Sequence, residues 1–456
     1  MKLAIWIVVA TLARGLAHGQ QPATAGLAER VDAIAQTALA RPLAGISIAV
    51  AQEGRVVFAR GYGLANVEHG VPVAPETVFH VASISKNILA GAILQLADQG
   101  RLRLDEDVRK YVPEAPTQGR RVTVRQLLNH TSGIYSFTSL PDAEANERRN
   151  LTHEQVIALI RGRPFDFEPG MAWRYDNSAF YLAGMVVERV TGQDYGIYVR
   201  SRVFEPIGMD SARLCDAGML VPRLASGYQA ARDKLVPAAL MDWKLPFAAG
   251  SICATATDLL KWQAALDEKR VLTAASLAAM RSPTTLADGT TIDYGLGTRL
   301  GSLEGHRVVG HTGGGGGFCG VLESFPDDRL TIVVLANRGD SATPAIHIAT
   351  AIARLLLGLP ATSPVRDLPV PREELDAIAG STYDSDEGGV ALREDGGKLH
   401  YRLVGRPIEG ELTRQGPWAY AAEGGADIRF KVHGGRAEWS LVYRGGLLMD
   451  AMRRVR

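Results

Sequence analysis

Val81-Ala82-Ser83-Ile84-Ser85-Lys86 opens the stretch whose reading decides the fold. After it, Ile88, Leu89, Ala92, Ile93 and Leu96 recur at three- and four-residue steps. That spacing puts an apolar face on a buried helix, and Gly100 is a natural stop. Ser83 falls at the helix start, and Lys86, three residues on, shares its face within the first turn. A serine hydroxyl is a poor nucleophile at neutral pH, but a partly desolvated lysine beside it can take its proton. The helix N-terminus adds positive potential and backbone N–H groups where an oxyanion would form. A solvated serine cap beside a surface lysine has the same spacing, so the reading turns on partners elsewhere in the chain.

Upstream, Leu27, Val31, Ile34, Ala35, Ala38 and Leu39 form a helical stripe that ends near Pro42. Residues 46–51 and 55–60 read as strands joined by a hairpin at Glu53-Gly54. Downstream, residues 122–128 lead into Asn129-His130-Thr131-Ser132-Gly133, which reads as a turn. Helical patterns recur at 153–161, 178–192 and 256–268. The period then changes to strands at 307–312, 320–325 and 330–336, the last two around Pro326-Asp327-Asp328, before a helix at 344–357 with Pro344 in its first turn. Strands early and late, with helices between, predict an α/β fold. One antiparallel sheet pairs the early and late strands, terminal helices flank it, and a helical region is inserted. A cleft between sheet and helices is the natural place for a site.

Pro360, Pro364, Pro369 and Pro371 mark a linker over 360–372. Beyond it, short alternating runs at 390–393, 399–403, 428–432, 439–443 and 447–453, punctuated by glycine, predict a small all-β domain over 373–456, a sandwich or barrel. At the other end, Met1-Lys2 followed by an apolar run to Leu12, with Ala17-His18-Gly19 before Gln20, reads as a signal peptide over 1–19. Export to the periplasm or medium is therefore expected, leaving a larger domain over 20–359 before the linker. The apolar run is short for a bilayer and Arg14 interrupts it, so stable membrane insertion is not expected. The formal net charge is +1 with no basic block, which argues against nucleic acid as a partner. Cys215, Cys253 and Cys319 match no zinc spacing, and small buried residues are their expected role, with one disulfide as the alternative.

Two later stretches offer partners for Ser83. Tyr175 and Asn177, in Trp173-Arg174-Tyr175-Asp176-Asn177-Ser178, stand at a loop end before a helix. A phenol near a lysine can shuttle a proton, and an asparagine amide can hold both a substrate carbonyl and the lysine. A helix cap beside a core tyrosine would look the same. His311-Thr312-Gly313-Gly314 ends a strand before a glycine run. His311 and Thr312 can face a carboxylate or leaving group, and the N–H groups of Gly314 and Ser83 can form an oxyanion hole. A flexible hairpin loop is the plainer alternative.

In this order, Ser83-x-x-Lys86, Tyr175-x-Asn177 and His311-Thr312-Gly313 resemble the three motifs of penicillin-recognising serine hydrolases, in the class C β-lactamase, D-Ala-D-Ala carboxypeptidase and esterase branch. Leu127-Leu128-Asn129-His130-Thr131-Ser132-Gly133-Ile134, and Gly250-Ser251 followed by Thr255-Ala256-Thr257-Asp258-Leu259, are similar to that branch too. The resemblance covers roughly residues 25–358. It implies the β-lactamase/transpeptidase α/β fold, Ser83 as acylating nucleophile, Lys86 and Tyr175 as proton relay, and Asn177, His311, Thr312 and Gly313 against the substrate. It also implies Ser83 and Gly314 N–H groups as oxyanion hole. The substrate would be a small molecule or peptide carrying an amide, peptide, ester or β-lactam bond.

His311 stands where most β-lactamases of this branch carry lysine, and a histidine is mostly neutral at pH 7. This moves weight toward carboxypeptidases, D-amino-acid peptidases and esterases. The glycines at 314–317 suggest a roomy edge to the cleft. Two other classes compete. A β-lactam or cell-wall sensor would acylate without turnover, but no signalling segment is apparent. A metal hydrolase would use His130, His306 or His311, but no pair is spaced for one helix face beside a carboxylate, so no metal is expected. No cofactor is called for, and the oligomeric state is not legible.

Overall fold

The structure is a computed structural model that describes residues 26–216, 218–231, 234–339, 342–385 and 388–455. The proposed signal segment, 1–19, lies outside the described residues.

The central sheet is antiparallel and takes strands from both ends of the first 360 residues. β1 (Gly45–Gln52) and β2 (Arg55–Asn66) form the early hairpin. Glu53 and Gly54 turn it with φ of 52° and 73°, as a two-residue hairpin that follows strand twist requires. β3 (Arg299–Leu303), β4 (His306–Gly315), β5 (Phe318–Phe325) and β6 (Leu330–Ala336) come late. The order is β3-β4-β5-β6-β1-β2, and β6 pairs with β1 over seven residues from Ile46↔Ala336 to Gln52↔Leu330. The predicted closure of early on late strands is therefore what holds the sheet together. Val321, Ile332 and Val334 are fully buried on these strands, and α1 (Leu27–Leu39) and α5 (Thr343–Leu356) cover that apolar face with Val31, Ala35, Ile346 and Ile352.

The opposite face carries the helical region. α2 (Ser85–Asp98), α3 (Asn177–Thr191) and α4 (Ala256–Asp267) share one core with Val333 and Leu335 of the sheet. The spacing after Lys86 predicts a buried helix with one apolar face, and α2 is buried on every side from Ser85 to Leu94. The reason is layering: sheet, α3 and α4 pack around it, so even Asn87 is inside, bonded to Trp262, Gly297 and Thr298. Cys215 and Cys253 are joined in a disulfide, with Cα atoms 5.9 Å apart on neighbouring segments of a small three-stranded sheet. This corrects the expectation that the cysteines act only as small buried residues; Cys319 does, buried on β5. Spacing alone could not pair them, because contact between residues 38 apart is set by the fold.

The C-terminal region is a barrel of eight strands: β7 (Thr382–Ser385), β8 (Gly388–Asp395), β9 (Lys398–Leu403), β10 (Glu409–Gly416), β11 (Ala419–Ala422), β12 (Ala426–His433), β13 (Arg436–Arg444) and β14 (Leu447–Arg454). Each pairs antiparallel with the next, and β7 closes on β14 through Tyr383↔Arg454. Closure leaves no open edge, which decides for the barrel over the sandwich. A helix, Arg372–Ile378, precedes the strands and packs Leu375 and Ile378 into the barrel core. The barrel docks on the central sheet where Leu447 pairs with Gly301. A Cβ on Gly301 would lie 1.9 Å from Gly446 O, so only glycine permits this approach.

Candidate active site

Ser83 lies in a 3-10 turn, Ala82–Ile84, that runs directly into α2. Ala82 has φ of 46°, a left-handed conformation that a side chain adopts only under constraint. The turn lifts Ser83 to a half-exposed position while Lys86, one turn on, is fully buried. Lys86 Nζ donates to Ser83 Oγ at 2.9 Å, to Asn177 Oδ1 at 2.7 Å and to the carbonyl of Ala249 at 2.9 Å. Three donors thus meet three acceptors, which is how a buried ammonium is held without a carboxylate.

Asn177 is the first residue of α3, and its Nδ2 donates to Thr138 Oγ1 at 3.0 Å. Tyr175 packs between two cations: Lys86 Nζ is 4.9 Å from its ring centre and the Arg299 guanidinium 5.3 Å. Asp176, between them in sequence, points away from the cleft. It is buried, Ser132 Oγ donates to its Oδ2 at 3.2 Å, and burial pushes its carboxyl up to about 7.

On the facing side, β4 passes so close that a Cβ on Gly313 would lie 2.2 Å from Val81 O. The cleft between, about 740 Å³, is lined by Ser83, Tyr175, Asn177, Thr312, Gly313 and Gly314. Seven of the eight residues singled out by sequence are therefore gathered at one place, Lys86 beneath its floor. His311 is the exception. It is fully buried, its Nδ1 bonds to the carbonyl of Thr312 at 2.7 Å and its Nε2 to Tyr294 Oη at 3.0 Å. Burial, with Arg299 and Lys86 nearby, holds its ring well below the usual imidazole range. The expectation that the His311 side chain lines the cleft is thus corrected: strand alternation turns Thr312 outward and His311 inward. The roomy edge is corrected as well. Gly314 and Gly315 do line the cleft, but Cβ atoms on Gly316 and Gly317 would strike Trp243 at 2.5 Å and Ala238 at 2.6 Å.

Sequence reasoning missed Arg299, a lone basic residue at a strand start with no motif to mark it. It lines the cleft and bonds through Nη1 to the carbonyls of Leu448 and Met449, both at 2.6 Å. It also missed the Ala249 carbonyl, since a backbone acceptor leaves no trace in residue type. The barrel forms the remaining wall with Val390, Leu403, Val404, Met449 and Met452. Among the described residues there is no cluster of His, Cys, Asp and Glu able to hold a metal ion, and no helix long and apolar enough to cross a membrane.

Residues 31–357 match the Beta-lactamase family. The chain is 27% identical to penicillin-binding protein 4* of Bacillus subtilis over 77% of its own length and 80% of that protein. It is 28% identical to a D-aminopeptidase of Gluconobacter oxydans, over 84% of its own length and 71% of that protein. Among solved structures, an octameric penicillin-binding protein homologue from Pyrococcus abyssi superposes with a TM-score of 0.64 at 26% identity, covering 95% of this chain and 99% of that one.

Proposed function

Because the chain belongs to the Beta-lactamase family, we propose that it is an exported serine hydrolase that cleaves an amide, peptide or ester bond through an acyl-enzyme on Ser83. The observation that carries this reading is the bond from Lys86 Nζ to Ser83 Oγ at 2.9 Å, made at the floor of a cleft. Ser83 Oγ attacks the substrate carbonyl carbon. Its proton passes to the pair formed by Tyr175 and Lys86, and the oxyanion meets the N–H groups of Ser83 and Gly314. As the tetrahedral intermediate collapses, the relay hands that proton to the departing amine or alcohol. Water then attacks the ester and gives a proton to the same relay, which returns it to Ser83 Oγ as the acid leaves. In the resting arrangement Lys86 spends all three N–H bonds on acceptors. An ammonium so held has no place for a further proton, so the Tyr175 phenolate takes the proton from Ser83 Oγ and becomes the phenol, Lys86 at 4.9 Å from its ring centre having balanced the phenolate charge.

Within this class we favour small amides and peptides, D-amino-acid derivatives first, over β-lactams. A buried neutral His311 supplies no fixed cation to the cleft, and the barrel wall narrows one side. The similarity to a D-aminopeptidase over most of the chain supports the same choice. Export accords with the buried Cys215–Cys253 disulfide, since such bonds persist in oxidising compartments. N-terminal sequencing of the protein from its host should begin at Gln20; an intact Met1 in the cytosol would overturn export.

Intact mass after adding benzylpenicillin, with Ser83→Ala alongside, tests the acyl-enzyme. A lasting Ser83-dependent adduct means that the cleft accepts β-lactams and releases them slowly. With no adduct, D-alanine p-nitroanilide and p-nitrophenyl acetate are the next substrates. Full turnover of all three by Ser83→Ala would remove Ser83 from the mechanism.

A further inference from the structure

The turn Asn129-His130-Thr131-Ser132-Gly133 plays no part in the chemistry above, yet it holds the segment that does. It follows a short helix, Val124–Leu128, closed at its start by a capping box from Thr123 and Gln126. His130 then takes φ of 62°, left-handed and costly for a residue with a side chain, and is fully buried. Its carbonyl accepts the N–H of Arg174 at 3.1 Å, and its Nδ1 accepts the N–H of Asp176 at 3.0 Å. The two residues flanking Tyr175 are thus pinned by one residue, and the His130 ring lies against the Tyr175 ring with centres 4.4 Å apart.

The same imidazole starts a directed chain of hydrogen bonds. A backbone N–H can only donate, so Nδ1 of His130 is the unprotonated nitrogen and Nε2 carries the hydrogen. Nε2 therefore donates to Tyr294 Oη at 3.1 Å. Tyr294 in turn donates to His311 Nε2 at 3.0 Å, and His311 Nδ1–H ends the chain on the carbonyl of Thr312 at 2.7 Å. Each member has one consistent role, and both rings must be neutral for the chain to exist. Lys86, Arg299 and Asp176 are the charged or titratable groups facing this cluster, with Tyr175 and Tyr294.

We propose that His130 is a positioning residue for acyl transfer: it clamps Tyr175 against Lys86 and, through Tyr294, fixes the tautomer of His311 that holds the Thr312 carbonyl beside the cleft. The inference rests on the role proposed for Tyr175. It accounts for a buried imidazole outside the cleft lining and for a strained backbone at the same residue.

The test is the hydrolysis of p-nitrophenyl acetate by Tyr294→Phe and His130→Asn, each checked for folding by its melting temperature. Tyr294→Phe removes one hydroxyl from the chain and leaves the clamp. Asparagine tolerates a left-handed backbone and offers an oxygen to the Asp176 N–H, so His130→Asn keeps the clamp and loses the chain. Both should lower kcat about 10- to 100-fold with KM within about twofold, the scale of a small misplacement at a reacting centre. Tyr294→Phe should also move the acid limb of the kcat/KM profile to higher pH, because His311 Nε2 has lost its donor and takes a proton more readily. A purely structural role would lower the melting temperature and leave that limb in place. Unchanged kcat and an unchanged acid limb in folded Tyr294→Phe would overturn the inference, and this variant decides if His130→Asn does not fold. Ser83→Ala and Tyr175→Phe run in parallel: full activity in either overturns the catalytic reading itself, which is a distinguishable result.

Discussion

Lys86 Nζ lies 2.7 Å from Asn177 Oδ1, which joins two helix starts 91 residues apart in the chain. This bond sets the lysine between the nucleophile and the second motif, and it makes the ammonium part of both helix packing and chemistry. Such a group is expected to be costly to the fold and necessary to the reaction.

Lys86→Met should separate these two roles. Methionine fills the buried volume without charge, so the melting temperature should hold or rise while kcat falls by about 10²- to 10⁴-fold. Calorimetry and ester hydrolysis on the same sample check it. Wild-type turnover in the folded variant would mean that the Ser83 proton has another route.

Glu323 gives a pH prediction. It is fully buried on β5, neither carboxyl oxygen has a hydrogen-bond partner, and burial pushes it up to about 8. A raised carboxyl means that the folded protein holds a proton that the unfolded chain releases at its ordinary value of 4.5. Stability therefore falls as pH rises from about 4.5 to about 8, and is flat on either side. Asp176 acts in the same direction up to about 7, so the difference between wild type and Glu323→Gln isolates Glu323. The two should melt together near pH 4, separate between about pH 4.5 and about 8, and stay apart above it, the variant being more stable by about 1–3 kcal/mol. Parallel melting curves from pH 4 to 9 would refute it.

Val404, half-exposed beyond β9, stands in the barrel wall of the cleft. Val404→Trp should lower kcat/KM for D-phenylalanine p-nitroanilide by about tenfold or more, the scale of apolar pocket discrimination. For D-alanine p-nitroanilide the loss should stay under about threefold. Equal effects on both substrates would mean that the barrel does not select the acyl side chain.

The Cys215–Cys253 bond closes a loop of 38 residues. Restricting the unfolded chain over that length is worth about 2–4 kcal/mol. Cys253→Ser, or reduction of the wild type under denaturing exchange, should lower the melting temperature while leaving kcat of the folded enzyme unchanged, because neither cysteine lines the cleft. No change in melting temperature on reduction would count against the bond.

Much of this molecule is written locally in its chain. The stripe from Ile88 to Leu96, the alternation of β4 to β6 and the Glu53-Gly54 turn each act within a few residues, so helix, strands and hairpin follow from period and turn chemistry. Ser83 with Lys86 is equally local, one helical turn apart. Tyr175 and Asn177 are legible by residue type and order, but not their distance from Lys86.

Tertiary structure decided what depends on meeting at long range. His311 reads as a cleft residue by type, yet its bond to Tyr294 and the β4 pleat turn it inside. Arg299 carries no motif and is held at the cleft by two carbonyls of β14 in the barrel. The clamp of His130 on Tyr175 grips the backbone N–H groups of Arg174 and Asp176, which no residue type marks in a sequence. The sequence by itself determined the elements and the reactive side chains, because periodicity and spacing act through neighbours. The charge state, orientation and walls of the site were decided by the fold, because burial and hydrogen bonding depend on residues far apart in the chain.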